Sequence, residues 1–210
     1  TDSFGASEAV GFGTSIMTAD GEVKTSKFTI GSKCKVFTED GREVVPGSGE
    51  AGFIARGGAV PLGYYKDPEK SEKTFKTING VRYSVPGDWC TVESDGTITL
   101  LGRGSNCINT AGEKVYPEEV EEALKAHDAV KDALVVGVPD DKWGQAITAV
   151  VALDGQADEA SLTEFVKTKL AHYKAPKRIL FKDDLGRAVN GKADYKSIKT
   201  FVLAELGIDA

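Results

Sequence analysis

Apolar positions in this chain follow two rhythms. Up to about residue 103 they come in short alternating runs broken by glycine and proline. KCKVFT (33–38) and EAGFIA (50–55) read as strands, with Asp40-Gly41 as a hairpin signal between them. VRYSVPGDWCTVESDGTITLLGR (81–103) reads as a hairpin turning at Asp95-Gly96. DPEKSEKTF (67–75) places proline in a first helical turn and predicts a short helix. Residues 1–30 are rich in glycine, serine and threonine and weakly patterned, so loop and short strand are expected there. The first hundred residues are therefore predicted to be mostly β.

The texture changes after Gly102-Arg103. Tyr116-Pro117-Glu118-Glu119 opens a helix, with proline suited to the first turn and acids at the positive end of the dipole. Val120, Ala123, Leu124 and His127 fall on one of its faces. DALVVGV (132–138) and AITAVVAL (146–153) are apolar β-branched runs and predict strands. DEASLTEFVKTKLA (158–171) predicts a helix with Leu162, Phe165, Val166 and Leu170 inward. RILF (178–181) predicts a strand, and DYKSIKTFVLAEL (194–206) a closing helix capped by Gly207. The order hairpin, α, β, β, α, β, α predicts a small α+β domain over 104–210, after a β-rich domain over 1–103. The fold class is mixed α/β.

Composition narrows the function classes. Hydrophobic residues at 40% and charged residues at 28% are ordinary for a folded domain. A net charge of −6, from 26 basic and 32 acidic side chains, argues against a nucleic-acid partner. No apolar run reaches the length of a membrane span. Cys34, Cys90 and Cys107 are scattered and odd in number, so free thiols in a reducing cytoplasm are expected rather than a zinc site or a disulfide framework. Two histidines, His127 and His172, make a histidine-based triad or metal cluster a poor fit.

Three segments carry candidate chemistry. In LGRAVNGKADYK (185–196), Lys192 follows Gly191 in a loop before the last helix, where a mobile point charge can be presented. In PGDWCTVESDGTITLLGR, Asp88 follows a Pro-Gly turn and Arg103 follows the hairpin. A carboxylate there can accept from both hydroxyls of a ribose, and a guanidinium can donate to the sugar or a phosphate. In DSFGASE (2–8), Glu8 is a candidate Mg²⁺ ligand beside nucleotide phosphates, and Phe4 a candidate stacking partner for a purine. Taken one at a time, each has a blander reading: a solvated lysine, a turn aspartate, a surface acid, a core aromatic.

Their order is what decides. DSFGASE resembles the aromatic-Gly-x-Thr/Ser-Glu motif of the ANL superfamily, which comprises acyl-CoA synthetases, peptide-synthetase adenylation domains and luciferases. GEAGFIARGGAVPLGYY resembles its Gly-Glu…Gly-Tyr segment, and YSVPGDWCTVESDGTITLLGR its Thr-Gly-Asp motif through the following Gly-Arg. TAGEKVYPEEVEEAL, LAHYKAPKRILF and GRAVNGKADY resemble its last three motifs. The match runs in order through essentially the whole chain.

The resemblance implies an acid–thiol ligase of the acyl-CoA synthetase type, working in two steps. A carboxylic acid attacks the α-phosphorus of ATP to give acyl-AMP and pyrophosphate, and the thiol of coenzyme A then displaces AMP. It implies that Lys192 bridges the acid and the α-phosphate, that Asp88 and Arg103 hold the ribose, that Phe4 packs on adenine and that Glu8 holds Mg²⁺. It implies a mobile C-terminal domain swinging about a hinge at Ser105, where relatives carry Asp or Lys. In its second orientation Gly112 lines a CoA tunnel and Trp143 stacks on the CoA nucleotide; packing on a sheet edge explains Trp143 equally well. Acetylation of Lys192 by a lysine acetyltransferase would block the first step. Two further departures are Gly186 for a usual proline and Pro86 for a usual threonine. GRGSNCINTAGEK resembles actinobacterial synthetases for fatty and steroid-derived acids. The family's phosphate loop and acid pocket lie upstream of the motif found here at 2–8, so the expectation is a truncated ligase, inactive alone, with residues 1–30 poorly ordered. Loading of a carrier protein is the same-fold alternative, and light-emitting oxidation a remote one. A non-catalytic interaction module is the alternative from another class. The joint presence of Glu8, Asp88, Arg103 and Lys192 argues against it.

Overall fold

The computed structural model describes residues 1–15 and 27–208. It divides into two compact units, Thr1–Ser105 and Asn106–Ala210. That division falls two residues beyond the boundary drawn from the sequence after Arg103. The mixed α/β class holds, with a β-rich first unit.

The first unit is an antiparallel sheet of nine strands. They are β1 (Asp2–Ala6), β2 (Ala9–Ser15), β3 (Lys27–Ile30), β4 (Cys34–Phe37), β5 (Ala51–Arg56), β6 (Phe75–Ile78), β7 (Val81–Ser84), β8 (Asp88–Val92) and β9 (Ile98–Arg103). The order is β1-β2-β3-β9-β8-β5-β7-β6, and β4 pairs with β5. Strands β8 and β9 form the hairpin read from Asp95-Gly96, where Asp95 Oδ1 accepts from the Thr97 backbone N–H at 3.0 Å. Helix α1 (Pro68–Thr74) begins as the sequence predicts, with Asp67 accepting from the Lys70 N–H at 3.0 Å and proline in the first turn. Phe12, Ile54, Cys90 and Ile98 form the centre of this unit's core. Burial pushes the Cys90 thiol up to about 12, which leaves it an inert packing group.

The opening segment, where loop and short strand were expected, is more regular than that. Glycine and serine hid two regular strands, because β1 and β2 pair with each other along DSFGA and AVGFGTS. The part of that expectation concerning 16–26 lies outside the described residues.

The second unit is built on a three-stranded sheet. It contains the hairpin β10 (Ile108–Thr110) and β11 (Glu113–Val115), then α2 (Pro117–Lys125), β12 (Val130–Asp140), β13 (Gly144–Leu153), α3 (Glu159–Lys169), β14 (Arg178–Phe181) and α4 (Tyr195–Leu206). Strands β12 and β13 are antiparallel, and β13 and β14 are parallel across the α3 crossover. Successive residues of a strand point to opposite faces. Ala133 and Val135 of β12, with Ile147 and Ala149 of β13, therefore join the core against α2 and α3. Leu134, Val136 and Val150 join a second core against α4. Both faces are covered, which is why these strands read as unbroken apolar runs.

Asp158 caps α3, accepting from the Ser161 N–H at 2.7 Å, and Gly207 ends α4 in the left-handed conformation. One reading is corrected: α2 ends at Lys125, so His127 lies beyond it. Its ring meets Phe165 edge-on at 4.9 Å, and its Nδ1 accepts from the Ala129 N–H.

Ile147 has no exposed surface and sits in the core between sheet and helices. Ile147→Ala is expected to lower the stability of the second unit by about 2–5 kcal/mol in urea denaturation.

Candidate functional site

The chemistry of the first unit gathers at one end of its sheet. Asp88 opens β8 and Arg103 closes β9, and the antiparallel register sets the two opposite each other. Arg103 Nε lies 3.4 Å from Asp88 Oδ1. The aspartate side chain is 10% exposed and the arginine 57%, so the pair has a buried anion and a solvent-facing cation. Burial pushes the Asp88 carboxyl above its ordinary value, the Arg103 guanidinium opposes that rise, and the charge of Glu8 adds to it.

Glu8 sits in the two-residue turn between β1 and β2. The Tyr64 hydroxyl donates to its Oε1, and the Ser84 hydroxyl donates to its backbone carbonyl at 2.8 Å. The Tyr64 hydrogen bond is the largest influence holding the Glu8 carboxyl below its usual range; Lys70 and Arg103 act in the same direction. The electrostatic coupling of Glu8, Asp88 and Arg103 brings three predicted residues into one cluster. Phe4 is half-buried, its ring 5.3 Å from Phe12 and 5.4 Å from Phe28. It therefore has a packing role at the edge of the core.

Sequence reading quoted the segment containing Tyr64 but gave that residue no role. The signal was its place at the end of the Gly-Tyr segment. Its backbone N–H donates to Ser71 Oγ at 2.7 Å, and the Lys70 ammonium lies 4.1 Å from its ring centre. These contacts fix the phenol that orients Glu8.

A magnesium ion bound with a nucleotide keeps phosphate oxygens and water in its shell and takes only one or two carboxylates. Glu8 fits that requirement: its carboxyl is held below its usual range, it is half-exposed, and among the described residues its second oxygen accepts no hydrogen bond from any other residue. No group of three or more His, Cys, Asp or Glu suited to a metal occurs among the described residues.

In the second unit, Lys192 is exposed on a tight turn. The Ala188 N–H donates to the Lys192 carbonyl at 3.0 Å, and the Gly191 N–H donates to the Ala188 carbonyl at 2.8 Å. Asn190 Oδ1 accepts from the Lys192 N–H at 3.1 Å. Gly191 adopts φ 78°, a conformation that side-chain-bearing residues rarely take.

Gly112 (φ 87°) and Ala111 (φ 51°) form the two-residue turn between β10 and β11. The left-handed conformation at both positions matches the twist of a tight hairpin. The Ala111 N–H donates to the Trp143 carbonyl at 2.8 Å, so the structure brings Gly112 and Trp143 to one place. The ammonium groups of Lys142 and Lys177 lie 4.7 and 4.9 Å from the Trp143 ring centre. A half-buried indole flanked by two cations suits a purine carrying phosphate. Ser105 is exposed in a short 3₁₀ turn, Gly104–Asn106, just after the Gly104 N–H donates to the Gly87 carbonyl at 3.0 Å.

A model of the AMP-binding enzyme C-terminal domain matches residues 119–192. The chain is 51% identical over 203 residues to the medium/long-chain-fatty-acid–CoA/3-oxocholest-4-en-26-oate–CoA ligase of Mycobacterium marinum, covering 95% of this chain and 37% of that protein. Apo MatB from Rhodopseudomonas palustris is similar in structure, with TM-score 0.72 and 30% identity over 95% of this chain and 40% of that one. MenE from Bacillus subtilis, in complex with the acyl-adenylate intermediate OSB-AMP, gives TM-score 0.69 and 32% identity over 80% of this chain and 34% of that one. This chain belongs to the ANL superfamily of adenylate-forming enzymes. Within it the chain is a homologue of fatty-acid and 3-oxocholestenoate CoA ligases, and it spans a little over a third of their length.

Glu121 of α2 is a buried acid that sequence reading did not single out. The Val135 N–H donates to its Oε1 at 2.9 Å and the Tyr195 hydroxyl to its Oε2 at 3.2 Å. Burial pushes its carboxyl up to about 7; Glu118 adds to the rise, while the Val135 and Tyr195 hydrogen bonds and Lys125 oppose it. Between its ordinary 4.5 and about 7 the folded state holds a proton that the unfolded state releases, so stability falls as pH rises through that window. Relative to Glu121→Gln, the unfolding free energy of the second unit is expected to drop by about 3 kcal/mol between pH 4.5 and 7.5. Urea denaturation followed at amides of β13 across that range checks it.

Proposed function

We propose that this chain is the ribose-binding edge (1–103) and the mobile C-terminal domain (104–210) of an ATP-dependent ligase. That enzyme joins a medium- or long-chain fatty acid, or a steroid side-chain acid, to coenzyme A. The observation that carries this reading is the Asp88–Arg103 pair, set opposite in register with Glu8 close by. A mostly buried carboxylate at a strand end accepts from two hydroxyls of a ribose, and the exposed guanidinium donates to the same nucleotide.

A free carboxylate is a poor electrophile, and adenylation gives it AMP as a leaving group. In the first half-reaction the acid's oxygen bonds to the α-phosphorus while pyrophosphate departs. The Lys192 ammonium lies between the acid and the α-phosphate and stabilises the charge that develops there. Glu8, oriented by Tyr64, would hold Mg²⁺, which supplies charge neutralisation for the phosphates. Phe4 packs toward adenine. In the second half-reaction the CoA sulfur attacks the acyl carbonyl and AMP leaves. The Ala111–Gly112 turn lines the thiol's path, since a backbone without side chains allows close approach, and Trp143 stacks on the CoA nucleotide between Lys142 and Lys177.

One unit presents two different turns to two half-reactions, so this reading requires it to reorient, with Ser105 as the hinge. Lys192 is exposed on its turn, which supports a lysine acetyltransferase as a partner that switches off the first step by removing the charge. Cys34, Cys90 and Cys107 are all free, which supports a reducing cytoplasm. No helix among the described residues is long and apolar enough to cross a membrane.

In the full-length ligase, Lys192→Ala is expected to lower acid-dependent pyrophosphate release by roughly 10²–10³-fold. Thioester formation from preformed acyl-AMP should stay within a few-fold of wild type. Fatty acids and 3-oxocholest-4-en-26-oate form the acid panel. Unchanged pyrophosphate release in that variant would defeat the assignment of Lys192.

A further inference from the structure

The turn bearing Lys192 is short and exposed, yet both ends of it are tied to the same strand. On the upstream side, Arg187 forms a two-pronged pair with Asp132 of β12: Nε lies 2.6 Å from Oδ2 and Nη2 lies 2.9 Å from Oδ1. Arg187 Nη1 also donates to the Gly191 carbonyl at 3.2 Å, so one guanidinium grips strand and turn together. Asp132 is itself fixed, because its Oδ1 accepts from the Ala133 N–H at 2.9 Å. On the downstream side, Tyr195 opens α4 three residues after Lys192, and its hydroxyl donates to Glu121 Oε2 at 3.2 Å. Glu121 Oε1 accepts from the Val135 N–H of β12 at 2.9 Å. The second tie therefore also ends on β12, through a buried carboxyl.

Two ties to one strand constrain a turn more than either alone. A planar guanidinium fork holds a carboxylate in a fixed orientation, and a buried hydrogen-bonded network allows few alternative arrangements. The Lys192 side chain is long and flexible, so its reach is set by where its backbone is held. The groups of both ties and those acting on them are Glu118, Glu121 and Lys125 on α2, Asp132 on β12, Arg187 on the turn and Tyr195 on α4.

We propose that Arg187–Asp132 and Tyr195–Glu121 are positioning pairs, which brace the stem of the Lys192 turn against β12 and so fix where the ammonium is delivered in the adenylation step. This rests on the role given to Lys192 above. None of the four is a catalytic residue; they act through Lys192.

The test uses Asp132→Asn and Tyr195→Phe, the second of which keeps the ring and removes only the hydroxyl. In the full-length ligase each is expected to lower kcat for pyrophosphate release by roughly 10–100-fold, as a misplacement of about 1 Å does. KM for ATP and for the acid should change less than about two-fold, and thioester formation from preformed acyl-AMP should be unchanged, because a positioning role touches only the step Lys192 serves. Arg187→Lys keeps the charge but loses the fork and should behave like Asp132→Asn. In the 210-residue chain, amides 188–193 should exchange faster in both variants while amides of β12 and β13 keep their protection. Loss of sheet protection, or equal losses in both half-reactions, would make the pairs structural and overturn the proposal. So would unchanged loop exchange with unchanged kcat. If Lys192→Ala itself leaves pyrophosphate release intact, the functional reading fails; faster loop exchange would then still establish the brace, and unchanged exchange would sink both.

Discussion

The burial of β12 and β13 on both faces is the constraint on which the second unit depends. Because side chains alternate across a strand, every residue from Ala133 to Val136 enters one core or the other. Helices α2 and α3 are held on one side and α4 on the other by the same few residues. The strand is thus the least adjustable element in the unit. Anything fixed to its backbone or its ends inherits that rigidity. Asp132, at the margin where burial gives way to solvent, and Val135, through its N–H, are the points where polar structure attaches to it.

That arrangement explains why an acid sits in an otherwise apolar helix face. Glu121 lies among Val120, Ala123 and Leu124, all buried. Moving its carboxyl from an ordinary 4.5 up to about 7 corresponds to about 3 kcal/mol of disfavoured charge. An alanine or leucine would avoid that penalty, and replacing buried ionic groups by apolar ones is often stabilising. What an apolar residue cannot do is accept from Val135 and Tyr195 at once. The site gives up stability for a defined geometry at the start of α4, where the neighbouring turn carries the exposed lysine.

Legibility in the sequence followed how local each signal was. From α2 onward the elements of the second unit were readable, because periodicity, proline at the start of α2, Asp158 before α3 and Gly207 after α4 are all encoded within a few residues of where they act; the β10–β11 hairpin before them was not read. For β1 and β2 the sequence suggested only short strand among loop, without their bounds or pairing. Their glycines and serines carry little strand preference, and pairing across the sheet supplies what local sequence lacks. His127 was misplaced because helical spacing continued past the residue at which the chain turns away toward β12. Asp88 and Arg103 could be named from their places beside the hairpin, but the bulge between Trp89 and Cys90, which shifts the register by one residue and sets Asp88 opposite Arg103, was not legible. Tyr64, Glu121 and Tyr195 lay in quoted motifs but had no assigned role. Their partners are 56 and 74 residues away in the chain, and no spacing rule connects them.

The two carboxylates of the first unit also differ in a way only three-dimensional structure could reveal. Glu8 and Asp88 are both acids near Arg103, yet burial dominates one and a hydrogen bond dominates the other. Glu8 is held ionised by the Tyr64 hydroxyl at an open turn, which suits a group that meets a cation. Asp88 is drawn into the sheet, where desolvation strengthens any hydrogen bond it accepts, and Arg103 offsets part of the resulting destabilisation of its charge. A pair of neutral hydroxyls, such as those of a ribose, can hydrogen-bond that buried carboxylate without adding charge to it. In the function proposed above, the two carboxylates divide the nucleotide between them, Asp88 for the sugar and Glu8 for the metal-bound phosphates. Burial makes that division, since the chemistry of the two side chains is the same.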